Sequence, residues 1–324
     1  MTQLYEDDEY YDPLADTQGM PSIKYNYMKV FVTGATGFVG SAVVQELINS
    51  GHQVLGLSRN EESDRTLTAV GAQAHRGDLN DLDSLRSGAA AADGVIHTAF
   101  NHDFSKFKES SENDRRVIET MGETLAGSDR PLVITSAIGL LERGRLVNEN
   151  DMPVPGPNPR IASEEATDAV AGRGVRISVI RLSPSVHGEG DHAFIPTLIK
   201  IAREKGISVY EGEGTNTWPA VHRLDAAKLF RLALEKGAVG GTRYHGVAEE
   251  GIPFREIAEA IAKGLNISIV SKSKEEAAAH FGPFAHFAAM DIHASGKQSQ
   301  QALEWQPICP GLIEDLGGKF YFSA

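Results

Sequence analysis

Thr33-Gly34-Ala35-Thr36-Gly37-Phe38-Val39-Gly40 follows the apolar, β-branched run Lys29–Thr33 directly. It opens a segment with helical spacing, Phe38–Ser50, in which Val39, Val43 and Leu47 share one face. This order of strand, glycine turn and helix constrains the chain more than any other feature. Gly34 permits a tight turn, Gly37 lets backbone N–H groups approach a pyrophosphate with no Cβ in the way, and Gly40 lets the helix lie close to the strand. The helix start adds unpaired N–H groups and the positive end of its dipole. Gly51 closes the helix as a C-terminal glycine cap. A glycine-rich turn without ligand is the plain alternative, and the strand–turn–helix context weighs against it. Gly34, Thr36, Gly37, Phe38, Val39 and Gly40 are therefore the candidate pyrophosphate cradle.

The rest of the chain continues the alternation. Strands are predicted at Gln53–Leu57, Ala72–His75, Gly94–His97, Pro131–Thr135 and Arg176–Leu182, with helices near 63–70, 81–89, 110–126 and 160–172. Nearly all-apolar strands alternating with helices predict an α/β fold, a Rossmann-type doubly wound parallel sheet covered on both faces. Past residue 183 the alternation loosens. Helical patterns occur at Phe194–Lys205, Asp225–Lys236, Phe254–Lys263 and near 274–281 and 296–303, with extended pieces at Ile207–Tyr210 and Thr242–His245. The expected organisation is a dinucleotide-binding core over 28–182 and a smaller, mostly helical substrate lobe over 183–324, with segments returning to the core.

Residues 1–27 differ in character. Six carboxylates face only Lys24, and no apolar period is present. The segment reads as an extension outside the core fold, mobile until something holds it. Its five tyrosines leave open an arm that meets a partner subunit, so a homodimer is the candidate assembly. A net charge of −13 argues against a general nucleic-acid binder, which needs a basic face. No apolar run approaches a membrane span, and the acidic N-terminus is unlike a secretory signal. The single cysteine, Cys309, excludes an internal disulfide framework and an all-cysteine zinc site, and no metal site is predicted. It fits a reducing, cytoplasmic compartment.

The strand ends narrow the ligand. An acidic residue after the second strand would accept from ribose hydroxyls and favour NAD. The chain has Ser58-Arg59 instead, a donor and a fork suited to a 2′-phosphate, so NADP is expected over NAD. A surface arginine without ligand is the alternative. After the third strand, Asp78 can accept from an adenine amino group while Leu79 covers the ring. After the fourth, Thr98, Ala99 and Phe100 leave room for a cofactor across the strand ends. Such pieces gather at the carboxyl edge of a parallel sheet, where ligands bind.

Together TGATGFVG at 33–40, Arg59, Gly77-Asp78-Leu79, VIHTA at 95–99, VITSA at 133–137 and RLSPSVHG at 181–188 resemble the extended short-chain dehydrogenase/reductase superfamily, of the NAD(P)-dependent epimerase/dehydratase type. The resemblance runs from about Met28 to the C-terminus. It implies a Ser or Thr at the end of the fifth strand, which Ser136 supplies and which can polarise a substrate carbonyl; a hydroxyl that only satisfies backbone is the alternative. It places Pro184, Ser185, Val186 and His187 beside the nicotinamide. It also implies a Tyr-x-x-x-Lys pair that acts as acid/base, and here the pattern departs. Arg160 and Glu164 fall at those positions, and no tyrosine occurs between Tyr27 and Tyr210. An arginine is a poor proton shuttle but can bind a carboxylate or stabilise an oxyanion. An Arg160–Glu164 ion pair at the helix start is the other reading. Titratable substitutes are His187, and His102 and His192 in loops. Trp218 and His222 are candidates for the substrate side, against a role in core packing.

Three functions fit this sequence. The first is an NADP-dependent oxidoreductase with an altered proton relay, acting on a small carbonyl or imine-like substrate. The second is a non-redox dinucleotide-binding regulatory protein. The third is an isomerase, epimerase or dehydratase that uses bound cofactor transiently. Fold alone does not separate them.

Overall fold

The computed structural model describes residues 27–323, apart from positions 155, 157, 239 and 319. The acidic extension lies outside the described residues except for Tyr27. The first part of the chain runs β1 (Lys29–Thr33), α1 (Phe38–Asn49), β2 (Gln53–Ser58), α2 (Glu61–Ala69), β3 (Gln73–Arg76), α3 (Leu82–Ala90), β4 (Gly94–His97), α4 (Phe107–Leu125), β5 (Leu132–Ala137), the short β6 (Leu146–Val147), α5 (Ala162–Ala171) and β7 (Ile177–Leu182). It continues with β8 (Ser185–His187), α6 (Phe194–Lys205), β9 (Ile207–Glu211), β10 (Thr217–His222), α7 (Arg223–Lys236), β11 (Thr242–Gly246), β12 (Glu249–Pro253), α8 (Phe254–Leu265), β13 (Ser268–Lys272), α9 (Lys274–Phe281), α10 (Ala285–Ala288), β14 (His293–Ala294), α11 (Lys297–Leu303) and α12 (Leu312–Gly317).

Seven strands form the main sheet in the order β11-β7-β5-β4-β1-β2-β3. Every pair in it is parallel. Chain direction across the sheet reverses between β1 and β4, so the crevice at their carboxyl ends is the topological switch point where such sheets hold ligands. β1 buries Val30, Phe31 and Val32 completely, as a central strand covered on both faces must. Val43 and Leu47 of α1 join Val30 and Val32 on one face, while Phe31, Val95, Ile134 and Val179 point to the other.

The C-terminal half supplies both the main sheet and the lobe. The extended piece at Thr242–His245 is β11, which pairs with β7 and completes the main sheet. The lobe carries short strands beside its helices. It holds a three-stranded sheet, β12-β10-β8, and a parallel pair, β13-β9. β8, β10, β12 and β13 escaped notice because they are short and interrupted, Pro219 standing inside β10 and Pro253 ending β12. Trp218, Phe254, Ile257 and Ile261 lie in the lobe's own core.

Candidate active site

The cradle has the geometry its glycines imply. Gly34 adopts φ +68°, the left-handed conformation that favours glycine. A Cβ on Gly40 would stand 2.0 Å from the Gly34 carbonyl oxygen, so Gly40 is the close-packing position. A Cβ on Gly37 would meet only that same oxygen, at 3.2 Å. Gly37 is also the N-cap of α1 and offers no capping side chain. The space above it and the first-turn N–H groups fit an anion, since a side-chain cap would otherwise claim those donors. Thr98 closes the crevice from β4, its Oγ1 donating to the Thr33 carbonyl at 2.8 Å.

At the far end of β2, Arg59 is exposed and makes no hydrogen bond or ion pair among the described residues. Ser58 differs from expectation. Its hydroxyl is buried and its one proton points between Asp64 Oδ1, at 2.5 Å, and the Asn60 carbonyl, at 3.0 Å, so in this arrangement it has no proton left for a phosphate. Asp64 also pairs with Arg76, which stands beside Ser58 in the β2–β3 register. Asp78 Oδ1 accepts from the backbone and side chain of Asn80, and Leu79 packs against the core.

The centre of the site is a buried polar chain between α4 and the strand ends. Arg160, from the turn Pro159–Ile161, donates to Asp114 Oδ2 at 2.6 Å, to the Thr135 carbonyl at 2.9 Å and to Ser163 Oγ. Its guanidinium carbon lies 4.0 Å from the centroid of the Phe100 ring, a cation–π stack. Phe100 thus supports Arg160, besides standing where a cofactor would pass. Asp114 accepts from Ser163 Oγ at 2.5 Å and lies 2.9 Å from His97 Nε2. A carboxylate only accepts, so Nε2 carries a proton, and Nδ1 lies 2.6 Å from Thr33 Oγ1. Burial opposes the charge on Asp114, but Arg160, with His97 and Ser163, overrides it and holds the carboxyl well below the usual range.

The helix-start alternative for Arg160 fails, because Glu164 is engaged elsewhere. Glu164 takes Arg181 on both oxygens, at 2.8 and 2.9 Å, and Arg243 at 2.8 Å. Ser136, one residue beyond the Thr135 carbonyl that Arg160 grips, is 3% exposed and its hydroxyl has no partner among the described residues. Ser185 Oγ, buried in β8, is unpartnered in the same way.

His102 stands near Arg160, and the charge of His192 reaches His102. Burial first, then Arg160, lowers His102. The His192 ring meets Phe38 edge-on at 5.8 Å. His187 lies elsewhere: it is buried, its Nδ1 sits 2.6 Å from Asp315 Oδ2, and its ring meets His222 at 5.4 Å. Burial pushes His187 down to about 4 against the pull of Asp225, away from the neutral range a proton relay uses. His222 caps α7, its Nδ1 accepting from Leu224 N at 3.2 Å. Trp218 takes the core-packing position, the alternative to the substrate side. The ring is fully buried between Phe194 and Phe254, at 5.6 and 5.2 Å, and a ring without exposure belongs to the lobe's core. Sequence reasoning missed Asp114. Its signal was a carboxylate on the apolar face of α4, in step with Val117, Ile118 and Met121, where only a paired charge is tolerated.

A glycine cradle on a helix start at a sheet's switch point, with hydroxyls and a held guanidinium at the neighbouring strand ends, defines a dinucleotide-binding α/β protein. The model of the NAD dependent epimerase/dehydratase family matches residues 30–124. An uncharacterized protein of Schizosaccharomyces pombe is 50% identical over 297 residues, 91% of this chain and 100% of that protein. A UDP-glucose 4-epimerase of Streptomyces lividans is 30% identical over 248 residues, 64% of this chain and 72% of the epimerase. A 2-alkyl-3-oxoalkanoate reductase of Stenotrophomonas maltophilia is 28% identical, over 76% of this chain and 78% of the reductase. Among solved structures, MoeE5 in complex with UDP-glucose and NAD superposes with a TM-score of 0.70 at 22% identity, covering 91% of this chain and 98% of that one. The chain belongs to the NAD-dependent epimerase/dehydratase family, the short-chain dehydrogenase/reductase-like group that its motifs resemble. No helix among the described residues is long and apolar enough to cross a membrane.

Proposed function

We propose that the protein is an NADPH-preferring oxidoreductase of this family that acts on a small, uncharged carbonyl or imine-like substrate without the usual tyrosine relay. The observation that carries this reading is the buried, unpartnered Ser136 hydroxyl, on the residue next to the Thr135 carbonyl that the Asp114-held Arg160 guanidinium grips. A bound nicotinamide supplies or takes the hydride. Gly34, Gly37 and the start of α1 would hold its pyrophosphate, and Arg59 its 2′-phosphate. Ser136 donates to the substrate oxygen, and Arg160 favours the negative charge that builds there. Asp114 already neutralises Arg160, so the pair offers direction with little net charge. That suits a neutral carbonyl better than a carboxylate. His102 is the titratable histidine that Arg160 acts on.

A non-redox regulatory reading has one observation in its favour. Glu164, locked between Arg181 and Arg243, leaves no ammonium where the family places its lysine. Nicotinamide absorbance, followed with NADPH or NADH against a panel of aldehydes, ketones and imines, separates the two. Turnover faster with NADPH is expected, and Arg59→Ala should weaken NADPH by about 1–3 kcal/mol, the value of a charge-assisted contact, with NADH nearly unchanged. Equal affinities would retire the NADPH preference. Tight binding without turnover on any substrate would leave the regulatory reading.

A further inference from the structure

Arg223 is the first residue of α7, in a part of the chain remote in sequence from the cradle. α7 lies along α1 in the same direction. Arg231 Nε meets Glu46 at 2.7 Å, and one end earlier Arg223 Nη2 meets Ser41 Oγ at 3.3 Å. The two helix starts therefore sit side by side and add their positive ends at one place. Between them lies the Arg223 guanidinium, 4.9 Å from the centroid of the Phe38 ring. Nη1 donates to the Glu189 carbonyl at 2.6 Å, while Nε is buried with no partner. No carboxylate comes within ion-pair distance of Arg223 among the described residues. A fork-shaped cation, the uncapped start of α1 and an unused buried donor converge here; Asp225 in the first turn of α7 is taken up by Ile308 N and Cys309 N, and Glu189 acts on Arg223 only from beyond ion-pair distance, so the cation is incompletely answered until an anion arrives.

We infer that Arg223 binds the pyrophosphate of the dinucleotide, reaching from α7 to the anion held by the first turn of α1. The inference deepens the cofactor reading above and rests on it. The loop at 188–191 is part of the same device. A Cβ on Gly188 would come within 3.1 Å of Arg223 Cγ, and one on Gly190 within 3.3 Å of Nη1, so the loop curls tightly round this side chain. Tyr321 fastens its other side, accepting from Gly188 N at 3.3 Å and donating to Asp191 at 2.9 Å. An anion on Arg223 thus also steadies the loop that carries His192.

Calorimetric titration of the full chain with NADPH, NADH and inorganic pyrophosphate tests this, in the wild type, Arg223→Gln and Arg223→Met. Methionine keeps an apolar stem over Phe38 and guards against a packing loss, and melting curves report folding in each variant. Both variants should lose about 10–100-fold in affinity for NADPH and for NADH alike, because the pyrophosphate is common to both. The NADPH-to-NADH ratio, which belongs to Arg59, should not move. Dinucleotide affinity within about twofold of wild type in either folded variant overturns the role of Arg223 and leaves the cofactor reading intact. A wild type that binds inorganic pyrophosphate through Arg223 but binds no dinucleotide retires the cofactor reading and keeps Arg223 as a phosphoryl-anion ligand. A wild type that binds none of the three overturns both.

Discussion

Ser136 and Ser163 show how differently two buried hydroxyls can be used at one site. Ser163 is engaged, donating to Asp114 at 2.5 Å. Ser136 is equally buried and donates to nothing among the described residues. An unpaired buried hydroxyl costs roughly 1–3 kcal/mol, and removing it returns that cost. Ser136→Ala should therefore melt at or above the wild-type temperature while turnover falls by about 10²–10³, the usual loss for one oxyanion donor. Thermal denaturation and steady-state kinetics on the same preparation check both halves. A clearly lower melting temperature would mean the hydroxyl is a structural bond, and the substrate contact would fall. The position of Ser136 was legible from the sequence because a strand end is a local feature. The grip on Arg160 was not, since Asp114 lies 46 residues away and only tertiary packing brings the two together.

At the scale of elements, the first strand–turn–helix unit was legible because each of its glycines answers a local need. The two glycines at the start of α1 nevertheless answer different needs, and the structure separates them. Gly40 packs against the turn, where a Cβ would sit at 2.0 Å from the Gly34 oxygen; at Gly37 the same atom would stand at 3.2 Å. Gly37 also has φ −76° and ψ 173°, a conformation open to any residue. Gly40→Ala should thus lower the melting temperature sharply, since backbone must move. Gly37→Ala should melt within a few degrees of wild type and lose dinucleotide affinity by tenfold or more, roughly one lost phosphate contact. A Gly37→Ala protein that binds dinucleotide normally would count against the cradle. The small β12-β10-β8 sheet was illegible for the converse reason. Strands of three to six residues, two of them holding a proline, carry too little pattern to stand out until the fold pairs them.

For the molecule as a whole, the seam that decides its response to acid lies at β11, the edge strand supplied to the main sheet by the second half of the chain. His245 on this strand is fully buried. Its backbone N donates to Ser299 Oγ at 2.7 Å, and its Nδ1 donates to the Ser295 carbonyl at 2.8 Å. Nε2 then faces Arg181 Nη1 at 3.4 Å, and a guanidinium only donates, so Nε2 must stay unprotonated. Burial pushes His245 down to about 4 against the pull of Glu149, and Arg181 adds to the push. The unfolded chain holds this proton from about pH 6.5 downward. The folded chain refuses it until about pH 4. Stability from His245 is thus complete above the unfolded value and is lost as pH falls from there to the folded value, by about 3 kcal/mol over the window. Urea denaturation at a series of pH values should show wild-type stability falling across this range, before the surface carboxylates titrate. His245→Asn, which keeps a donor at the Nδ1 position toward Ser295 but cannot take a proton, should start lower and fall less steeply, the two curves converging toward the acid end. Parallel curves would mean that the seam is indifferent to this proton, and that the acid response over this range belongs to His187, which burial likewise pushes down to about 4.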